Sequence, residues 1–309
     1  MIQSFLVLLP VFIVIFLGFG LRRSGVIGQD HWRGIDQICY YVLFPAIIFK
    51  EIASADFSTV PVWSMAFAMM AAITPMFALL LAFQKPIRSS LRLNGPQFSS
   101  LFQGATRWHT FIALAIIPVY FGQPALALGG LSAAAMTPLL NIVNVWVMSA
   151  NVSEQKPDAR MMVVTIFKNP FVWSSLGGIV WQLLQLPLPA LGIQVLDMVG
   201  RGALGLALLA VGAGLRIDEA FSAKGPVFVA TFLKLLIMPI FMVLWLHIFG
   251  VTGQAAAVAI LCAAVPTGSG AYVLAKQLGG DAPMIANILT LQVICAAVTI
   301  PVVLAFFQF

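Results

Sequence analysis

Runs of about 20 apolar residues, broken by short polar stretches, recur along the whole chain, the length needed to cross a hydrocarbon core of about 30 Å as helix. The pattern predicts about ten helices. They run roughly Gln3–Leu21, Gly34–Ala53, Pro61–Gln84, Pro96–Phe121, Pro124–Ala150, Met161–Gln185, Leu191–Leu215, Pro226–Phe249, Gln254–Leu278 and Ala282–Phe307. Segments of about ten alternating residues, the mark of a membrane barrel, do not occur. One run contradicts its own pattern. Within "CAAVPTGSGAYVLAKQ", Cys262–Gln277, the residues Pro266, Gly268 and Gly270 sit where a spanning helix needs its interior. Proline removes a hydrogen bond and clashes with the preceding turn, and glycine is a poor helix former.

Composition sharpens this to an all-α polytopic membrane protein without a soluble domain. Of 309 residues, 61% are hydrophobic and 8% charged, against about 25% charged in soluble chains. The net charge of +6 points to orientation rather than to nucleic acid, because the basic residues lie in short loops. Arg22, Arg23, Arg33, Lys85, Arg88, Arg92, Lys156, Arg160, Arg216, Lys224 and Lys276 follow the odd-numbered helices, while the other loops are nearly bare apart from Lys50 and Arg201. Cytoplasmic loops carry the excess of Lys and Arg, so both termini are expected outside. The first apolar run precedes Arg22 and Arg23, the wrong order for a cleavable signal, and is expected to stay as helix one. Cys39, Cys262 and Cys295 fall in apolar runs without metal or redox spacing and read as packing residues. Lys168, Lys234 and His247 read as snorkelling or interfacial.

Ten helices divide into five and five, and an odd number per half inverts the second half. The expected domains are 1–150 and 161–309, joined by a short cytoplasmic linker, 151–160. Faint echoes support the division: Pro10 and Gly18 against Pro170 and Gly178, Asp36 and Asp197 opening helices two and seven, Pro61 and Pro75 against Pro226 and Pro239. Pairing Cys262 with Gly104 sets Pro266 on Trp108, Thr267 on His109 and Gly268 on Thr110. Arg107, Trp108, His109 and Thr110 are the least lipid-like cluster of the first half. Matching interruptions in two inverted halves are the best sequence pointer to a transporter's binding site.

Broken backbone in a bilayer needs cover from protein or a water-filled cavity. Two half-helices starting near His109 and Thr267 present N–H groups and positive dipole ends, which together suit an anion such as a carboxylate. Thr110, Thr267 and Ser269 add hydroxyls, and Arg107 adds a fixed charge. Arg107 either contacts substrate or pairs with a polar group at the break. His109, with an ordinary pKa of about 6.5, either couples protons or is simply hydrogen-bonded into the break. Asn141 and Asn144 on helix five, and Asn287 and Gln292 on helix ten, either line the pathway or bind helices together; binding is the expectation. Motifs for hydrolysis, phosphate binding or metal catalysis are missing from the sequence, so no enzyme and no cofactor is expected.

Several segments resemble the auxin efflux carrier family across nearly the whole chain, most specifically "LPVFIVIFLGFGLRRSGVI", "KNPFVWSSLGGIVWQLLQLPLP" and "AAVPTGSGAYVLAKQLGGD". The resemblance implies inverted five-helix repeats of the bile-acid sodium symporter fold. It implies a scaffold domain (helices 1, 2, 6 and 7) and a transport domain (helices 3–5 and 8–10), with helices four and nine crossing at their breaks. It further implies elevator-like transport, homodimers, and organic-anion substrates such as aromatic acids related to auxin or malonate-like dicarboxylates. Two departures stand out: family members often have asparagine where this chain has His109, and plant members have proline where it has Trp108. The long cytoplasmic loop of many plant members is also missing, which favours a bacterial inner membrane.

One charge moved through 100 mV is worth about 2.3 kcal/mol, so a monoanion can leave a negative interior unaided. Acidic residues that would bind sodium are scarce at both breaks. Sodium-independent export of an organic anion is therefore the leading expectation. Proton-coupled uptake through His109 is its alternative, and a non-transporting receptor on the same scaffold is the rival class.

Overall fold

The computed structural model describes residues 2–55, 62–152, 169–220 and 225–306. Lys156, Arg160, Lys168, Lys224, Pro61, the linker from residue 153 onward and the start of helix six lie outside them. The described residues form helices α1 (Ile2–Arg23), α2 (Gln29–Ile38), α3 (Phe44–Ala53), α4 (Val62–Ala82), α5 (Gln84–Ser90), α6 (Gly95–Thr106), α7 (Thr110–Phe121) and α8 (Leu126–Val152). Then come α9 (Pro170–Leu183), α10 (Ala190–Gly200), α11 (Ala203–Gly214), α12 (Ile217–Ala220), α13 (Gly225–Phe232), α14 (Met238–Ile248), α15 (Gly253–Ala264), α16 (Gly270–Leu278) and α17 (Ala282–Phe306). No strand occurs among the described residues.

Among the described residues, six stretches are long and apolar enough to cross a membrane: Phe5–Arg23, Val62–Ala82, Gln123–Val152, Ala190–Gly214, Gly225–Ile248 and Ala282–Phe306. The other expected spans differ for identifiable reasons. The second, α2 with α3, carries Asp30, Arg33, Asp36, Lys50 and Glu51. The fourth divides between α6 and α7, and the ninth between α15 and α16. The sixth is described only from Pro170, where Asn169 caps α9 by accepting from the Phe171 N–H. Local sequence also explains the start of α6. Asn94 accepts from Gln97 N–H while the Gln97 side chain accepts from Asn94 N–H, a reciprocal cap that satisfies two end donors.

Three irregularities were not legible in the pattern. Wide π-turns at Cys39–Leu43 and Leu233–Ile237 join α2 to α3 and α13 to α14. Such turns are rare inside helices and concentrate at functional sites. The expected seventh helix bends at Arg201 and Gly202 between α10 and α11. Asp36 and Asp197 do not open their helices; both lie inside, in α2 and α10. There Asp197 receives Lys50 at 2.7 Å, and Lys50 also reaches Glu51 at 3.0 Å. Lys50 is thus not a loop charge but the centre of a three-residue ion cluster linking α3 to α10.

Packing joins helices that are distant in sequence. α1 lies along α11, α3 along α9 and α10, α4 along α14 and α8, and α6 against α8 and α17. The α1–α11 contact is backbone on backbone: a Cβ on Gly18 would overlap the Leu209 carbonyl, and one on Gly212 would overlap the Ile15 carbonyl. Lipid supplies no hydrophobic drive between helices, so close approach through small residues carries such contacts. The outward faces keep large apolar side chains, among them Leu6, Ile13, Trp63, Phe67, Phe228 and Ile248. Cys39 and Cys262 are fully buried, and all three cysteines are free. At the ends of α1 and α11, Arg22 donates to the Ala213 carbonyl and Arg23 pairs with Asp218.

Adding a methyl at the α1–α11 contact therefore requires the helices to part. Gly212→Ala should lower the thermal-unfolding midpoint of the purified protein, by the roughly 1–3 kcal/mol that overpacking costs. Gly20→Ala, where a Cβ meets nothing within 4 Å, should leave it in place. Equal midpoints for the two variants would show that the contact is not tight.

Candidate functional site at two helix breaks

Residues 107–109 separate α6 from α7, and residues 265–269 separate α15 from α16. Arg107 ends α6 with extended backbone (φ −72°, ψ 161°), and Val265 ends α15 in nearly the same conformation (φ −68°, ψ 153°). The first halves correspond residue for residue: Gly95–Thr106 matches Gly253–Ala264 at the offset that pairs Gly104 with Cys262. The second halves do not. α7 starts at Thr110, but α16 starts only at Gly270, after Ser269, rather than at Thr267. The extra length comes from Pro266-Thr267-Gly268, which resists helix more than Trp108-His109 does.

The two breaks touch. Thr267 Oγ1 donates to the Gln103 carbonyl at 3.3 Å. A Cβ on Gly268 would come within 2.7 Å of the Trp108 carbonyl oxygen, so only glycine allows the two chains this approach. Gln292 of α17 binds both. Its Oε1 accepts from Thr267 N–H at 2.7 Å, and its Nε2 donates to the Gly104 carbonyl at 2.8 Å and the Ala230 carbonyl at 3.3 Å. Backbone groups released by the breaks thereby regain partners in a medium that offers no water.

Helix α8 holds the other side. Arg107 Nη2 donates to Asn141 Oδ1 at 2.8 Å, and Thr106 Oγ1 lies 3.2 Å from Asn144 Oδ1. The Asn144 amide in turn donates to the Leu140 carbonyl. One face of α8 thus carries both asparagines to the end of α6. Asn287, on α17, keeps a buried Oδ1 without a partner. Two further polar atoms at the first break are buried and unpartnered: Arg107 Nη1 and His109 Nε2. Buried guanidinium N–H groups are costly to leave unpaired, and this one lies beside the second break, with Nη2 3.5 Å from where a Gly270 Cβ would stand. Neither His109 nor Ser269 caps its half-helix with a side chain.

The expected site residues are therefore contiguous. Trp108, His109, Pro266, Thr267 and Gly268 are buried, while Arg107, Thr110 and Ser269 are half-buried. Gln292 was expected only as a pathway or packing residue, and nothing in its spacing announced that it would tie two breaks together. Lys234 corrects the sequence reading outright. It does not snorkel: it is fully buried, and its ammonium donates to the Ala263 carbonyl in the last turn of α15 at 2.8 Å. His247, by contrast, is exposed near the end of α14. A separate surface cavity of about 330 Å³, lined by Arg22, Arg23, Arg216 and Asp218 among others, contains none of the crossing residues.

Comparison with known proteins agrees with this reading of a membrane carrier. Residues 4–304 match the model of the family described as membrane transport protein. A protein of Methanothermobacter thermautotrophicus described as an uncharacterized transporter is 22% identical over 299 residues, covering 95% of each chain. The match spans both helix breaks and nearly every described helix, and on that extent the chain belongs to the membrane transport protein family, the auxin efflux carriers that its motifs resemble.

Proposed function

We propose that the protein is a secondary carrier of organic anions, carboxylates above all, that exports them without sodium. The observation that carries this reading is the buried Arg107 guanidinium. One of its two terminal nitrogens is held by Asn141, and the other is unpartnered where the two helix breaks meet. A carboxylate there would accept from Arg107 Nη1 and meet the N-terminal ends of α7 and α16. Arg107, Trp108, His109, Thr110, Pro266, Thr267, Gly268 and Ser269 form the proposed substrate site, with Asn141 and Asn144 orienting the end of α6. Gln292 ties the wall formed by α17 to both breaks, and Asn287 lines the pathway on the same helix.

The same reading takes the chain as ten spans in two inverted five-helix repeats, 1–150 and 161–309. The equal length and conformation of the α6 and α15 ends support it. In an elevator mechanism the scaffold would be helices 1, 2, 6 and 7, and the moving part helices 3–5 and 8–10. The α1–α11 and α3–α9 contacts on one side, and the α4–α14 and α6–α8 contacts on the other, support that grouping. A homodimer in the inner (plasma) membrane, both termini outside, completes the proposal.

A second reading has its own observation. His109 Nε2 is buried and unpartnered, so His109 can serve as a proton site for coupled carboxylate uptake.

Two measurements test these readings. Arg107→Ala should slow carboxylate transport in proteoliposomes about tenfold or more, since a hydrogen bond to a charged group is worth about 1.5–3 kcal/mol. Thermal unfolding should still show a folded protein. Unchanged kinetics would remove Arg107 from the site. In the same vesicles, an imposed potential, inside negative, should accelerate efflux of a monoanion with choline as the only cation, whereas a pH gradient should not. Transport that ignores the potential and follows the pH gradient would replace uncoupled export by the His109 reading.

A further inference from the structure

Lys234 lies within the apolar stretch Gly225–Ile248 and has no ion-pair partner among the described residues. An ammonium is a compact, strongly hydrated charge, so complete burial without a carboxylate calls for another source of negative potential. The break in α15 provides one. In an unbroken helix the Ala263 carbonyl would accept from the Thr267 N–H four residues on. Here the chain turns away at Val265, and Thr267 N–H goes to Gln292 instead. The Ala263 oxygen is left at the negative end of a twelve-residue helix, where cations are favoured. Lys234 Nζ fills that position at 2.8 Å, from a π-turn that spans Leu233–Ile237. The Cys262 thiol is the other titratable group against it, and it carries no compensating acid.

Secondary transporters bind their coupling cations at such places, on unwound carbonyls and the C-terminal ends of half-helices. We infer that Lys234 is a covalently tethered counter-cation, occupying a latent monovalent-cation site at the C-terminal end of α15. The ammonium supplies from the protein the charge that a free sodium or potassium ion would otherwise bring. This inference does not rest on the anion reading, because it concerns only what neutralises the α15 end.

The test is thermal unfolding of the purified full-length protein in lithium, sodium, potassium or choline chloride at equal ionic strength. The native protein should unfold at the same temperature in all four salts. Lys234→Ala should unfold earlier in choline and recover by about 3–5 °C, saturably, with at least one alkali cation. Lys234→Met keeps the stem volume and leaves no room for an ion, so it should unfold earlier and gain nothing from any cation. Lys234→Ser, which also leaves room for an ion and whose hydroxyl can still hydrogen-bond in the vacated space, guards against a variant that does not fold and should show the same cation response as Lys234→Ala. The inference is overturned by any of four results: a native midpoint raised by an alkali cation over choline; Lys234→Ala as stable as the native protein in choline; folded Ala and Ser variants indifferent to every alkali cation; or no folded protein from either variant in sodium and potassium buffers. None of these readouts depends on anion transport, so failure of the carrier reading would leave them interpretable.

Discussion

The side-chain amide of Gln292 closes the hydrogen bonds that two broken helices leave open. Its oxygen takes the Thr267 N–H, and its nitrogen serves the Gly104 and Ala230 carbonyls. In water such groups would be solvated at little cost. In lipid each unsatisfied one costs several kcal/mol. One fully buried residue on α17 thus makes the crossing of 107–109 and 265–269 affordable, and holds α6, α13 and α15 in a single arrangement.

Around that crossing, hydrogen bonds and close packing do work that the hydrophobic effect does in soluble proteins. α1 and α11 meet through Gly18 and Gly212, backbone against backbone. Asn141 and Asn144 bind the end of α6 to α8. Lys50, Glu51 and Asp197 couple α3 to α10. Each contact places a polar or small residue where the partner helix needs it, while the apolar majority of the surface faces outward.

Two cations of this membrane protein, Lys234 and Arg107, have no opposite charge beside them among the described residues. Lys234 lies on the last turn of α15, and Arg107 follows the last residue of α6. A helix terminus supplies a partial charge that no side chain has to provide. That is how Lys234 is accommodated without a salt bridge among the described residues, while Arg107 is held by Asn141.

Sequence alone determined that the chain is helical and membrane-embedded, because lipid tolerates only long apolar segments with internally satisfied backbone. It also located both breaks, since Pro266 with Gly268, and Arg107 with His109, oppose a continuous apolar helix for local reasons. The offset that pairs Gly104 with Cys262 sets the bounds of α6 and α15 at matching positions. Tertiary structure decided the rest. Gln292 looks like any polar residue in a spanning helix until three backbone partners from other elements surround it. Lys234 reads as a snorkelling lysine, because periodicity records hydrophobicity but not which helix end lies opposite. The Gly18–Gly212 approach depends on neighbours distant in the chain, and local pattern holds no information about such neighbours.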